Sequence, residues 1–177
     1  MASSAIQPPA SAAEPSPAAR ITVGSLVLPG LFVVAWAFAL SGATPTGAVA
    51  GESTAASDLR WMLWFVGFVF IASSVMHSVF AKKTAASIGW VTNGFQYELA
   101  AASLGMGLAC LYAITKGAEA LVTISIPVIA FLFLAGVNHV VEIVRERNYA
   151  PNNTLILVWD FGMSISLAVL CIAVTKG

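Results

Sequence analysis

The stretch "IPVIAFLFLAGVNHVVEIVRERNYAPNN", Ile126 to Asn153, decides the fold. Its first eleven residues are greasy enough for the middle of a bilayer. His139 and Glu142 then follow one helical turn apart, and "RERNYAPNN" ends the run with charge, Pro and Asn. The whole chain has the same character. Of its 177 residues, 59% are hydrophobic and 9% charged, where a soluble domain carries about 25% charged residues. A domain of this size exposes too much surface to hide so many apolar side chains. Lipid is therefore the solvent for much of the chain.

Four more apolar runs flank this one. Together the expected spans are residues 21–40, 59–80, 95–114, 121–144 and 154–174. Each is near the roughly 20 residues that a helical crossing needs. None shows the sustained period-two alternation of a barrel strand. The reading is an all-α, polytopic integral membrane bundle of about five transmembrane helices, one domain over residues 20–177. Asn93, with Gln96 three residues later, reads as a variant capping box opening the third span. Residues 1–19 are rich in Pro, Ala and Ser and read as a disordered tail. "AVA" at Ala48 to Ala50 has the look of a signal-peptidase site. It lies far from the end of the first apolar run, so a retained helix kinked at Pro29-Gly30 is favoured.

Net charge is zero, with eight basic and eight acidic residues. No basic patch exists to neutralise phosphates, which argues against nucleic acid as a partner. The partners implied are membrane lipids, with other membrane subunits or a second copy of the chain as further options. Lys and Arg set the orientation. Arg20, Lys82, Lys83, Arg145 and Arg147 fall on one side, and Arg60, Lys116 and Lys176 on the other. The bias places the N-terminus in the cytoplasm and the C-terminus outside. Trp61 and Trp64, and also Trp90 and Trp159, read as interface anchors. Cys110 and Cys171 sit in apolar runs without metal or redox spacing and read as small buried hydrophobes.

The ionisable residues inside the apolar runs are His77, Glu98, His139, Glu142 and Asp160. At about 1.5 Å of rise per residue, Glu98 lies roughly 7 Å and Asp160 roughly 10 Å into their helices. Spans two and four end where spans three and five begin. All five groups therefore fall in one layer beneath the presumed cytoplasmic face. Small or hydroxylated neighbours share their helix faces: Ser73 and Ser74 with His77, Ala135 and Gly136 with His139, Ser164 with Asp160. Below Glu98 runs a stripe of Ala102, Gly105, Ala109 and Tyr112. Such residues let membrane helices approach closely, so the layer is expected to face the bundle interior.

Ionisable groups inside a membrane default to a functional hypothesis. Two imidazoles with two or three carboxylates suit a divalent metal, zinc or non-haem iron. His77, Glu98, His139 and Glu142 are the expected ligands, with Asp160 as a fifth ligand or as acceptor for an imidazole N–H. A proton path through the histidines is a second reading. The third is a hydrogen-bond network that fixes helix register in an accessory subunit of a larger membrane complex. A proton-coupled carrier is disfavoured by the short chain and the lack of an inverted repeat.

The segment "SIGWVTNGFQYELAAASLGMG", Ser87 to Gly107, carries a resemblance. Ile88-Gly89-Trp90, then Phe95-Gln96 and Glu98, with His77 before and His139 after, resemble an uncharacterised family of small bacterial multi-spanning membrane proteins. The Asn-rich turn "NYAPNN" fits the same pattern. The chain departs from it at Gly94, where Pro is expected, and at Ala100, where Gly is expected. The resemblance covers roughly Leu59 to Val174. It implies a shared polar site in a bacterial inner membrane protein and supplies no activity.

Overall fold

The computed structural model describes residues 21–177. The expected tail at 1–19, and Arg20, lie outside the described residues. Seven helices follow in order: α1 (Val23–Leu40), α2 (Thr54–Ser78), α3 (Ala81–Ile88), α4 (Phe95–Ala113), α5 (Ala118–Arg145), α6 (Pro151–Thr154) and α7 (Ile156–Lys176). The described residues contain no strand, and the all-α bundle stands. Four helical segments are long and apolar enough to cross a membrane: α1, α2, α5 and Pro151–Lys176. The expected third span, α4, has 19 residues but falls short in hydropathy, with Gln96, Tyr97 and Glu98 in its first turn.

α4 nevertheless lies within the bundle, in the most extensive helix pair, against α2. The two cross at glycines. A Cβ on Gly107 would stand 2.8 Å from the Gly67 carbonyl oxygen and 3.1 Å from the Ile71 nitrogen. Only hydrogen fits between these backbones, the means by which small residues bring membrane helices together. At one end Arg60 in α2 donates to the Ile114 and Lys116 carbonyls just past α4. At the other, Gln96 in α4 reaches His77 in α2. The pair is therefore antiparallel.

The remaining helices join the same stack. The Trp36 indole of α1 donates to Ser166 Oγ of α7 at 3.1 Å. Trp61 Nε1 of α2 donates to the Ala43 carbonyl just beyond α1. α7 packs along α5. The core is apolar: Leu59, Met62, Leu63 and Val66 from α2, Leu121 and Val128 from α5, Met163 and Leu167 from α7. Large apolar residues cover much of the outer surface, among them Val33, Leu108, Ile126 and Ile165. A bilayer makes that surface favourable, because lipid solvates it as readily as a protein core does.

Several expectations change. The turn region expected at residues 81–94 contains α3, an amphipathic helix that buries Ala81, Thr84, Ala85 and Ile88. Its period of three and four was present in the sequence, masked by Lys82 and Lys83. Trp159 is no interface anchor: it is 2% exposed and belongs to the core. Arg60, counted among the orienting charges, is not free at the surface. It is fully buried, pairs with Glu52 and holds the carbonyls at the end of α4. The Asn93–Gln96 capping box does not form. Asn93 Oδ1 accepts from the Phe95 N–H, while the Gln96 amide turns to Ala81 and His77.

Candidate functional site

The polar layer exists at one end of the bundle, but its members separate into an inner pair, an outer cavity and the bulk surface. His139 and Asp160 are buried, while His77 and Glu142 are partly covered. Glu98 is exposed, and so are Ala102, Gly105 and Tyr112 of the stripe below it. The inward face of α4 is Ala100, Ser103, Gly107, Cys110 and Ala113 instead. The expected inward stripe thus belongs to the outer surface. Small residues mark close approach only where a partner helix lies, and α2 lies against the other face.

His139 and Asp160 meet because α5 and α7 come close. A Cβ on Gly136 would lie 3.2 Å from the Asp160 Cβ. One turn on from Gly136, His139 Nε2 stands 4.0 Å from Asp160 Oδ2. That carboxylate oxygen is buried and has no hydrogen-bond partner among the described residues.

The other side of the imidazole is held by Asn153, which the sequence reading did not single out. Asn153 Nδ2 donates to the Asn148 carbonyl at 2.9 Å. A carbonyl only accepts, so the orientation of the amide is set. Its Oδ1 then faces His139 Nδ1 at 2.7 Å, and Nδ1 must carry the proton of that bond. In neutral His139 the lone pair is therefore on Nε2, turned toward Asp160. At Nδ1 the acceptor is Asn153, and Asp160 stands opposite Nε2.

The Ile88-Gly89-Trp90 motif covers this group. The Ile88 carbonyl accepts from Asn148 Nδ2 at 2.8 Å. Gly89 ends α3 with φ of 81°, and a Cβ there would lie 2.7 Å from Asn148 Oδ1. Both the left-handed backbone and the contact require glycine. Trp90 then stacks on His139, ring centroids 5.3 Å apart and planes within 10°. α3 and the turn after α5 are thus knitted together over the imidazole.

His77, near the end of α2, meets Gln96 rather than the Asn153 group. Gln96 Nε2 donates to the Ala81 carbonyl at 2.9 Å and meets His77 Nδ1 at 3.2 Å. By the same reasoning the amide nitrogen faces the ring, so Nδ1 accepts and neutral His77 carries its proton on Nε2. The two histidines hold opposite tautomers. His77 and Trp90, with Asn93, Phe95, Gln96 and Leu99, line a cavity of about 240 Å³.

Among the described residues no three His, Cys, Asp or Glu side chains group as ligands for one ion. Cys110 and Cys171 are free thiols, Cys110 within the core.

A family model for a family of unknown function, DUF6790, matches residues 25–177. The chain belongs to that family. DUF6790 is uncharacterised, as the resemblance implied, but the match begins inside α1 and so includes the first helix, which the resemblance left out. No curated protein and no solved structure matches the chain. The DUF6790 chain must therefore be read from its own geometry.

Proposed function

We propose that this is a proton-exchanging membrane protein, with His139 and Asp160 as the working pair. One observation carries the reading: the lone pair of Nε2 faces an unpartnered, buried carboxylate oxygen across 4.0 Å. Two acceptors turned toward each other inside a membrane bundle are costly unless a proton or another cation lies between them. A single shared proton gives either a neutral acid beside a neutral imidazole or an imidazolium–carboxylate pair. Asn153 suits both states, since it accepts the Nδ1 proton in each. The pair lies near one end of the bundle, beneath the Trp90 loop, so protons reach it from that side. In the reading favoured here this side is cytoplasmic and the membrane is a bacterial inner membrane.

A divalent ion, zinc or iron, is the second occupant of the same gap. Two donors are fewer than a stable site uses. Bonds of about 2.0–2.2 Å in a tetrahedral zinc site place donors about 3.4 Å apart, so this pair would have to close by roughly half an ångström. A proton hydrogen-bonded between Nε2 and Oδ2 also needs the pair to close, to about 2.7–3.0 Å, but it needs no further ligand. An accessory-subunit role, with the network serving register alone, predicts neither proton nor metal exchange.

The test is proton uptake by purified protein in liposomes, read with an entrapped pH dye under an imposed potential. Flux is expected in the wild type and is lost in Asp160→Asn and His139→Ala. Wild-type liposomes no leakier than empty ones, with no pH-linked carboxyl band by infrared difference spectroscopy, would sink the proposal. Elemental mass spectrometry on the same preparations separates the metal reading.

A further inference from the structure

The cavity beside His77 is distinct from the His139–Asp160 pair, neither of which lines it, although Trp90, which stacks on His139, does. Its volume of about 240 Å³ is below the about 300–1,000 Å³ that suits a whole drug-sized ligand. It suits a head group whose remainder stays outside. Its flanks are apolar and open: Val91 and Phe95 are among the most exposed large hydrophobic residues of the protein. That is the surface a lipid tail would cover.

The polar groups of the cavity wall point to the chemistry of the head. The Gln96 amide nitrogen occupies His77 Nδ1, which leaves Nε2–H as the ring's free polar group. Trp90 Nε1–H is buried and has no partner among the described residues, so an acceptor in the cavity reaches it only by a shift of the ring. A buried N–H without an acceptor is disfavoured by about 1–3 kcal/mol, so an acceptor from outside the chain is favoured. Two neutral N–H donors, an aromatic wall and an apolar mouth suit an uncharged carbonyl oxygen. They do not suit a cation, which neither donor could coordinate.

We propose that this cavity holds the carbonyl-bearing head of a lipid-soluble molecule, hydrogen-bonded by His77 and Trp90. Two sources present this chemistry in a membrane: the ester of a glycerolipid and the ring carbonyl of a quinone. The proposal does not rest on proton exchange at His139 and Asp160, and each stands without the other.

The experiment uses ¹⁵N-labelled full chain in nanodiscs of ether-linked phosphocholine lipid, which lacks ester carbonyls. A tail-less methoxy-substituted benzoquinone is titrated in, and the Trp90 indole and His77 imidazole N–H resonances are followed. A saturable downfield shift of both supports a quinone head. The same shift without quinone, on changing to ester-linked lipid, supports a lipid ester. Trp90→Phe keeps the ring and removes the donor, and is expected to weaken binding about fivefold, the loss of one neutral hydrogen bond. Resonances that stay fixed in both lipids and throughout the titration overturn the proposal. So does binding that is unchanged in Trp90→Phe. Should that variant fail to fold, the wild-type titration decides alone.

Discussion

Asn153 Oδ1 lies 2.7 Å from His139 Nδ1, and the opposite side of the same amide is anchored on the Asn148 carbonyl. One side chain thereby fixes which ring nitrogen of a buried histidine carries its proton. Asn153→Ala removes the acceptor and leaves a buried N–H unsatisfied. The expected loss is about 1–3 kcal/mol, read as a lower unfolding midpoint in detergent. His139 should also give ¹⁵N shifts of mixed tautomers, where the wild type gives one.

Gly89 adopts a φ of 81° and leaves room for the Asn148 amide. Gly89→Ala meets both obstacles. The left-handed backbone costs about 1–2 kcal/mol, and Asn148 must move off the Ile88 carbonyl. Trp90 is expected to lose its stacking on His139. Tryptophan emission measured against Trp90→Phe backgrounds reports that change, and an unaltered Trp90 signal in a folded Gly89→Ala protein would contradict the geometry.

At the opposite end, Arg60 is fully buried, paired with Glu52 and bonded to the Ile114 and Lys116 carbonyls. Arg60→Leu leaves a carboxylate and two carbonyls without their partner. Breaking a buried pair from one side costs about 3–5 kcal/mol. Arg60→Lys keeps the charge but not the planar fork, and should fall between Leu and wild type in thermal unfolding.

The α2–α4 crossing makes an ordered prediction among glycines. Gly107→Ala places a Cβ against backbone, 2.8 Å from the Gly67 oxygen, and is expected to cost about 1–3 kcal/mol. Gly67→Ala chiefly meets the end of the Leu111 side chain, which can rotate, and should cost less. Gly105→Ala meets nothing within 4 Å and sits on an exposed face of the helix. It should be neutral or mildly stabilising. A denaturation series of the three alanine variants checks the order.

Glu98→Gln changes an exposed residue in the first turn of α4. Stability is expected to stay within about 0.5 kcal/mol of the wild type, and proton uptake should match it. Asp160→Asn should behave oppositely in flux. Equal loss in both would show that Glu98 acts in the path despite its exposure.

Membrane class and the end of the bundle that carries the polar residues were legible in residue order, while the short helices α3 and α6 were not. Apolar runs of crossing length, separated by Pro, Asn and charge, leave few other ways to satisfy the backbone in lipid. Alternating helix direction then brings His77, Glu98, His139, Glu142 and Asp160 to one end whatever the packing. Rotation of each helix about its axis was less legible. In a soluble protein the polar face marks water, but in a bilayer both faces of α4 are apolar or small, and Glu98 could lie on either.

The sequence by itself therefore determined what kind of solvent this protein lives in and at which depth its polar groups lie, because hydropathy and helical rise are local properties. Only the tertiary structure decided which groups meet. It turned Glu98 outward, brought Asp160 to His139 past Gly136, placed Asn153 on the imidazole and laid Trp90 over it. Arg60, read from the sequence only as an orienting charge, became a buried clamp. These pairings depend on helix rotation and on contacts between residues far apart in the chain, and lipid, being as apolar as the helices, gives the residue pattern no sign of either.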